Sequence, residues 1–280
     1  MKKQILALAL AGMTLTGVAQ QLRMPQPSPA QTIKQDFAMG TIELSYSRPG
    51  VKSRTVFGDL VPWGQLWRTG ANAATRIKFN DPVIIGGVHI DTGTYVIYTI
   101  PQKNEWEIIL NKGNGNMDVN SYKKELDVVR VKVPSVRLRD KVETFTMQFE
   151  NVAYESCELH IKWENTAVVL PIRSNVKDRL KTQMETALAG DRAPYWQAAN
   201  FYYEWEQDYA KALENVNAAI EAAEKANQKP FYMYMLKARI QKAAGDNAGA
   251  KASAEKTIQL STEVNNKDYI KLATDLLKTL

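Results

Sequence analysis

Cysteine and histidine are scarce in this chain of 280 residues. Cys157 is the single thiol, so no disulfide can form within the chain, and stability must come from buried apolar surface. The two histidines, His89 and His160, fall in different predicted strands and outside any spacing typical of zinc ligands. Cys157 shares its strand parity with Leu159 and Ile161, which predicts a packed thiol rather than a nucleophile. We therefore expect neither a metal nor another cofactor.

Long apolar runs are lacking after the N-terminus. Residues 5–18 are almost wholly apolar or small, but these 14 residues fall short of the roughly 20 needed to cross a bilayer as a helix. Two lysines precede the run and small residues end it. This arrangement predicts a cleavable signal peptide over residues 1–19, no transmembrane segment, and a periplasmic or secreted protein.

Neither sign of charge dominates the composition. The formal net charge of +6 becomes +4 when Lys2 and Lys3 are removed with the signal peptide. This excess is small and dispersed, so we expect no nucleic-acid partner. The sequence also lacks a recognisable motif for a nucleophile, a metal or a cofactor, and we predict no catalytic residue.

The first patterned segment follows a proline-rich leader. Residues 20–31 contain three prolines and little to bury, so an extended leader is expected there. Over residues 32–172 apolar and polar residues alternate, as at Ile42 and Leu44, which predicts half-buried strands. Short strands separated by turn signals such as Glu164-Asn165, with no helix between them, favour antiparallel hairpins. We predict a two-sheet β-sandwich, with an irregular barrel as the alternative.

The apolar period changes near Pro171 from two residues to three or four. Helix starts are predicted at Ser174 or Asn175, Pro194, Asp208, Pro230, Asp246, and Asn266 or Asp268. Residues 174–280 should therefore be helical. The predicted fold class is α+β in two segregated parts, an antiparallel β-sandwich followed by a short α-helical array.

The helical half repeats itself at an offset of 38 residues. Ala212 aligns with Ala250 and Val216 with Ala254, which puts small residues where two helices approach closely. The pattern resembles the tetratricopeptide repeat, whose period is about 34 residues. The resemblance implies stacked helix pairs, which either present a groove to a peptide or pack as a scaffold.

A long motif marks the β part. It comprises residues 47–58 (SRPGVKSRTVFG), 61–75 (VPWGQLWRTGANAAT) and 93–95 (GTY). These segments resemble the exported bacterial family called domain of unknown function 2911, over about residues 32–172. The resemblance implies a secreted or periplasmic protein, commonly from Bacteroidetes-type bacteria, whose members often carry tetratricopeptide-like helices after this domain. It implies no established activity.

Arginine and tryptophan are concentrated in the loop that follows the predicted strand at Ile42 and Leu44. The predicted ligand-binding residues are Arg48, Arg54, Trp67, Arg68 and Asn72, and Trp63 lies beside them. Guanidinium groups suit a carboxylate or phosphate, and an indole offers a flat face to a sugar or a cation. The cluster could therefore hold an anionic or glycan ligand. Alternatively, the tryptophans close one end of the sandwich and the arginines fix a long connection.

Three functions remain open at this point. The leading hypothesis is an exported, non-enzymatic envelope protein that binds a ligand or partner through residues 48–72, with the helices as a scaffold. A carbohydrate-active or other hydrolase is the alternative, with site residues that converge only in three dimensions. The second alternative is a docking scaffold for a peptide or protein partner through the helical repeats.

Overall fold

The computed structural model describes residues 24–113 and 119–280. The predicted signal peptide, residues 1–19, lies outside the described residues. The first half of the described chain contains nine strands: β1 (Ala30–Phe37), β2 (Gly40–Ser47), β3 (Thr75–Phe79), β4 (Val83–Ile85), β5 (Val88–Ile90), β6 (Gly93–Pro101), β7 (Glu105–Asn111), β8 (Asp127–Glu150) and β9 (Ser156–Arg173). Strand β1 begins two residues before the expected start of order.

The strands pair antiparallel in the order β1-β2-β3-β6-β7-β8-β9-β4-β5. Strand β8 belongs to both halves of this sheet, because residues 127–134 pair with β7 and residues 135–150 pair with β9. Its pairing with β9 shifts register between Arg137 and Val142 and again before Thr146. Such irregularities bend a strand. The long sheet can therefore turn its second half over its first.

The two halves of the sheet enclose one hydrophobic core. Alternate residues of β2, β3, β8 and β9 are buried together, among them Ile42, Leu44, Ile77, Phe145, Met147, Leu159 and Ile161. Tyr46 donates its hydroxyl to the carbonyl of Met147 at 2.9 Å, and the Val51 N–H donates to the carbonyl of Glu143 at 2.8 Å. These bonds run from one half of the sheet to the other. The predicted antiparallel, two-layered β part is confirmed.

Strand β9 continues through a position where the sequence predicts a turn. Glu164 and Asn165 both lie inside β9, so the prediction of a turn at this dipeptide is wrong. Glu164 has a left-handed φ of +52°, at the point where β9 loses register with β8. A turn and a bulge both use residues with positive φ, and only the partner strand distinguishes them.

Six helices follow in the described chain: α1 (Val176–Leu188), α2 (Tyr195–Phe201), α3 (Tyr209–Lys225), α4 (Phe231–Ala243), α5 (Asn247–Glu263) and α6 (Lys267–Leu277). A π-helical turn, Tyr202–Glu206, extends α2. The side chains of Asp208, Asp246 and Asn266 each accept a hydrogen bond from the first turn of the helix they precede. The predicted helical half is confirmed. Across residues 24–113 and 119–280, none of the helices has the length and hydropathy to span a membrane.

From α2 to α6, each helix packs on the next helix in the chain. Ala212 and Ala250, which the 38-residue offset aligns, are both fully buried, and so are Val216 and Ala254. Small side chains at these positions let the paired helices approach closely. The likeness to tetratricopeptide repeats stays a prediction from the sequence pattern.

Side-chain contacts join the helices to one end of the sheet. Arg179 of α1 donates to the Asp81 carboxylate at 2.6 Å. Tyr154, in the turn between β8 and β9, stacks on Trp205 with ring centroids 4.7 Å apart and donates its hydroxyl to Glu204 at 3.0 Å. The helical array is thus fixed to the end of the sheet formed by this turn and by the segment after β3.

Candidate functional site

Arg48 and Arg54 bind to backbone and hydroxyl groups of the protein itself. Arg48 donates to the carbonyl of Phe145 at 3.1 Å and to the Thr146 hydroxyl at 2.9 Å. Arg54 donates to the carbonyls of Val51 at 3.0 Å and Gly50 at 2.7 Å. Both side chains therefore fasten the loop after β2, one to β8 and the other to the loop's own backbone.

Trp67 fills the end of the core. Its ring packs edge to face on Phe57, Trp106 and Phe145 and stacks on Trp163 at a centroid distance of 5.9 Å. Its backbone exchanges two hydrogen bonds with Thr99 of β6, at 2.8 and 2.9 Å. These contacts hold the indole in a fixed position against the core; like Trp63, the Trp67 side chain is half-buried.

The remaining two predicted residues lie on the same connection. Arg68 is half-buried, and its carbonyl accepts the N–H of Thr75 at 3.2 Å. Asn72 is exposed, has a left-handed φ of +55°, and donates its side-chain amide to the carbonyl of Ser28 at 3.1 Å. The structure therefore gives all five predicted residues, Arg48, Arg54, Trp67, Arg68 and Asn72, contacts within the protein; ligand binding by these five residues stays a prediction.

Trp63 differs from Trp67 because it borders open space. One face of its ring stacks on Phe57, with centroids 5.8 Å apart and planes 28° apart. Its Nε1 lies over Gly58, where an added Cβ would come within 2.5 Å of that atom and where φ is +94°. The indole is therefore supported from behind and along one edge. It is only half-buried, and it was not among the predicted ligand-binding residues.

Two grooves meet at Trp63. The first groove, of about 700 Å³, is lined by Trp63, Gly64 and residues 102–105 of the β6–β7 turn. The second groove, of about 560 Å³, is lined by Trp63, Lys103, Asn104, residues 135–137 of β8 and residues 164–166 of β9. Trp63, Lys103 and Asn104 are common to both. We call this pair of grooves the Trp63 groove.

Most polar side chains that line the Trp63 groove have no hydrogen-bond or ion-pair partner in the described chain. Within the described chain, the side chains of Gln102, Lys103, Asn104, Arg137 and Glu164 make no hydrogen bond or ion pair with another residue. Their donors and acceptors are therefore available to a ligand.

The charges around the Trp63 groove are of both signs. Lys103 and Arg137 are cationic and Glu105 and Glu164 are anionic, but Glu105 is paired with Lys132 at 2.9 Å, so in the second groove two cations face Glu164 alone. Four charged side chains of both signs give no strong field for a ligand of one charge. The lining therefore suits a ligand that is rich in hydroxyl or amide groups.

The second groove owes its shape to the bulge between β8 and β9. Arg137 is the last residue of β8 in register before the shift, and Glu164 is the residue of β9 with positive φ. Bulges re-aim side chains and are frequent beside binding sites.

A separate apolar groove lies where the helices meet the sheet. Leu180, Met184, Phe201 and Trp205 line about 550 Å³ between α1 and α2. A neighbouring groove of about 540 Å³ shares Leu180 and Trp205 and reaches the β1–β2 turn. Peptide or protein docking at the helices stays a prediction.

The described residues give little support for a nucleophilic thiol or a metal site. Cys157 is buried, and burial raises the pKa of its thiol to about 12. No group of three or more His, Cys, Asp or Glu side chains within residues 24–113 and 119–280 is arranged to hold a metal ion.

Comparison with known proteins identifies the β part alone. No curated protein and no solved structure matches the chain. One family model, described as a protein of unknown function (DUF2911), matches residues 28–172. This match covers more than half of the 280 residues and includes β1 to β8, all of β9 except Arg173, the loop after β2 and every wall of the Trp63 groove. The chain therefore belongs to the DUF2911 family of proteins of unknown function.

Proposed function

We propose that this protein is an exported, non-enzymatic binding protein that holds a carbohydrate against the free face of Trp63. The observation that carries the proposal is the setting of this indole. One face rests on Phe57, and the ring borders two grooves whose polar side chains have no partner in the described chain.

Carbohydrate chemistry matches this lining. A sugar ring has a partly apolar face that packs on an indole, while its hydroxyl groups both donate and accept hydrogen bonds. Asn104 and Gln102 offer amide groups, Arg137 offers a planar fork of donors, and Glu164 offers an acceptor. Such a mixture of a flat aromatic surface and a few convergent polar groups is typical of small-molecule sites.

The predicted loop residues have a supporting role in this proposal. Arg48 ties the loop to β8, and Arg54 closes its first turn. Trp67, four residues after Trp63, packs against the core. They keep the loop, and with it Trp63, in one position, which lowers the cost of binding because fewer groups must be ordered by the ligand. The helices serve as a scaffold at the other end of the sheet, and export rests on the predicted signal peptide.

Binding without hydrolysis is supported by the carboxyl groups. A glycoside hydrolase needs a carboxylic acid with a raised pKa opposite a second carboxylate. In the described chain, each carboxyl group with a shifted pKa has it lowered, chiefly by a hydrogen bond from lysine or histidine, as for Glu150 beside Lys162. None of these six carboxyl groups lines the Trp63 groove, and a lowered pKa is the opposite of what a catalytic acid requires, so none of the six is a candidate for that role.

The test is affinity electrophoresis of the full chain in gels that contain soluble polysaccharides, followed by calorimetry on those that retard it. We expect at least one polysaccharide to bind, and Trp63→Ala to weaken binding at least about tenfold, the loss of one stacked aromatic contact. Tyr195→Ala, at an exposed aromatic residue of α2, is the matched control and should bind normally. Unchanged binding by a folded Trp63→Ala variant, or steady release of reducing sugar, would overturn the proposal.

A further inference from the structure

We infer that the carbohydrate contains an acidic sugar, whose ring lies on Trp63 and whose carboxylate binds Arg137 and Lys103 in the second groove. This inference rests on the proposed function and specifies the class of its ligand. It depends on three features of the second groove: an excess of unpaired cations, hydrogen bonds that join the two segments carrying them, and an indole that lines the same space.

The second groove has one more cation than carboxylate. Lys103 and Arg137 line it together with a single carboxylate, that of Glu164. In the part of the chain that the structure describes, none of these three side chains has an ion-pair partner. Glu105, which lines only the first groove, is already paired with Lys132 at 2.9 Å. A ligand with one negative charge would therefore neutralise the excess in the second groove.

The segments that carry the two cations are joined by hydrogen bonds. The N–H of Ser135 donates to the carbonyl of Asn104 at 2.9 Å, and the Ser135 hydroxyl donates to the carbonyl of Lys103 at 2.7 Å. From Ser135 to Arg137, β8 pairs in register with β9. The backbones of the β6–β7 turn and of β8 are therefore fixed to each other, which lowers the ordering cost for a ligand that contacts both.

A carboxylate suits these groups better than a more highly charged anion. The guanidinium of Arg137 presents a planar pair of donors that can bind a carboxylate through two hydrogen bonds, and the Lys103 ammonium adds a point charge. A phosphate dianion or a densely sulfated chain would bring more negative charge close to Glu164. The contact with a single carboxylate acts at short range, so it needs no strong field around the groove.

Trp63 supplies the surface for the sugar ring. This indole lines the second groove, and one of its faces packs on Phe57. A uronate ring has a partly apolar face that packs on an indole, while its carboxylate projects from the edge of the ring. The volume of about 560 Å³ lies within the range of about 300–1,000 Å³ that is typical of small-molecule sites. The groove therefore has room for a sugar on Trp63 with its carboxylate directed to Arg137.

The experiment measures the calorimetric affinity of the full chain for matched acidic and neutral sugars. The probes are disaccharides and trisaccharides of galacturonate, glucuronate, mannuronate and guluronate, each with its methyl ester, which keeps the ring and removes the charge. Galactose 6-sulfate is the comparison for a different anion. In the series that binds, we expect the free acid to bind at least about tenfold more tightly than its ester. This preference should shrink as the salt concentration rises.

The variants locate the carboxylate. Arg137→Ala should lower affinity for the free acid at least about tenfold and affinity for the ester much less, so that the two become nearly equal. Lys103→Ala should weaken the free acid several-fold, and Trp63→Ala should weaken acid and ester alike. Glu164→Gln should strengthen binding of the free acid several-fold, because it removes a repelling charge and no bond within the described chain.

Arg139→Ala is the matched control for Arg137→Ala. Arg139 lies on the same strand, is exposed, and does not line either groove. The change removes the same charge two residues away, so affinities for acid and ester should equal those of the unmodified protein. Equal losses in the two variants would indicate diffuse attraction and would contradict a direct contact at Arg137.

Three results would overturn the inference while the proposed function stands. The first is an ester that binds as tightly as its acid, or a neutral polysaccharide that binds when no uronate does. The second is a preference for the acid that persists in Arg137→Ala. The third is tighter binding of galactose 6-sulfate than of any uronate, which would indicate a sulfate site. If neither acids nor esters bind and no polysaccharide retards the protein in the gels, the proposed function itself is wrong and the inference falls with it.

Discussion

Trp63 and Trp67 lie in one loop but have different surroundings. Trp67 contacts four aromatic rings of the core, so Trp67→Ala should lower the free energy of unfolding by about 3 kcal/mol. Trp63 packs on Phe57 and borders the groove, so Trp63→Ala should cost about 1 kcal/mol. Denaturant unfolding followed by circular dichroism measures both values. Equal losses would contradict the different placement of the two rings.

Cys157 should be inert in the folded protein. Burial raises the pKa of its thiol to about 12, so at pH 8 only a fraction on the order of one in ten thousand is thiolate. We expect negligible reaction with a disulfide reagent such as dithionitrobenzoate under native conditions, and one equivalent of reaction after unfolding in guanidinium chloride. Rapid native labelling would show that the thiol is accessible.

At the scale of single residues, the sequence predicts burial within a strand but does not predict the surroundings of a side chain in a loop. The parity of Cys157 with Leu159 and Ile161 in a strand was enough to predict burial, because alternation assigns each residue to a face. The loop after β2 has no such period. Nothing in its sequence distinguishes Trp63, which borders a groove, from Trp67, which fills the core, since their environments depend on strands far along the chain.

At the scale of elements, the caps of α3 and α5 offer a matched pair. Asp208 accepts the N–H of Lys211 at 3.1 Å, and Asp246 accepts the N–H of Gly249 at 2.8 Å and also the Gln241 side-chain amide at 3.1 Å. Asp208→Ala should therefore destabilise the protein by about 1 kcal/mol and Asp246→Ala by about 2 kcal/mol. Thermal unfolding of the full chain measures both. A larger loss for Asp208→Ala would contradict this ranking.

Local signals explain why most elements were predictable. Helix starts at Asp208, Pro230 and Asp246 depend on residues within one turn, and the strands of the first half follow an alternation that is visible in short windows. The course of β8 and β9 was not predictable, because a bulge at Glu164 has the same local sequence signal as a turn. Its identity depends on pairing with residues of β8 more than 20 positions earlier.

At the scale of the whole molecule, Asp81 links the sheet to the helices. Its carboxylate accepts bonds from Arg179 at 2.6 Å and from the Met39 N–H at 3.3 Å. Asp81→Ala should lower the free energy of unfolding by about 2 kcal/mol and should split the calorimetric transition, because the helices lose a contact with the sheet.

Asp275→Ala is the control for this experiment. Asp275 pairs with Lys278 at 2.8 Å on the surface of the helical half. The change should have little effect on the free energy of unfolding and should leave the shape of the transition unaltered, because the ion pair is exposed to solvent. If both variants behave alike, the Asp81–Arg179 contact does not couple the two parts.

Contacts between the two parts could not be predicted, although the parts themselves could. Asp81 and Arg179 are 98 positions apart, and each alone resembles an ordinary surface charge. The spacing of apolar residues indicates which face of an element is buried, but it does not indicate which other element packs against that face. The same limitation applies to the Trp63 groove, whose walls come from the loop after β2, the β6–β7 turn, β8 and β9.

The length of strand β8 also sets the distance between the Trp63 groove and the contact with the helices. Residues 137 and 150 lie on this one strand, and at about 3.3 Å per residue they are separated by up to about 40 Å. The helices contact the sheet just beyond residue 150, at Tyr154. The contact with the helices and the Trp63 groove therefore lie toward opposite ends of one strand, so a large polymer that reaches the groove meets the sheet away from the Tyr154–Trp205 contact.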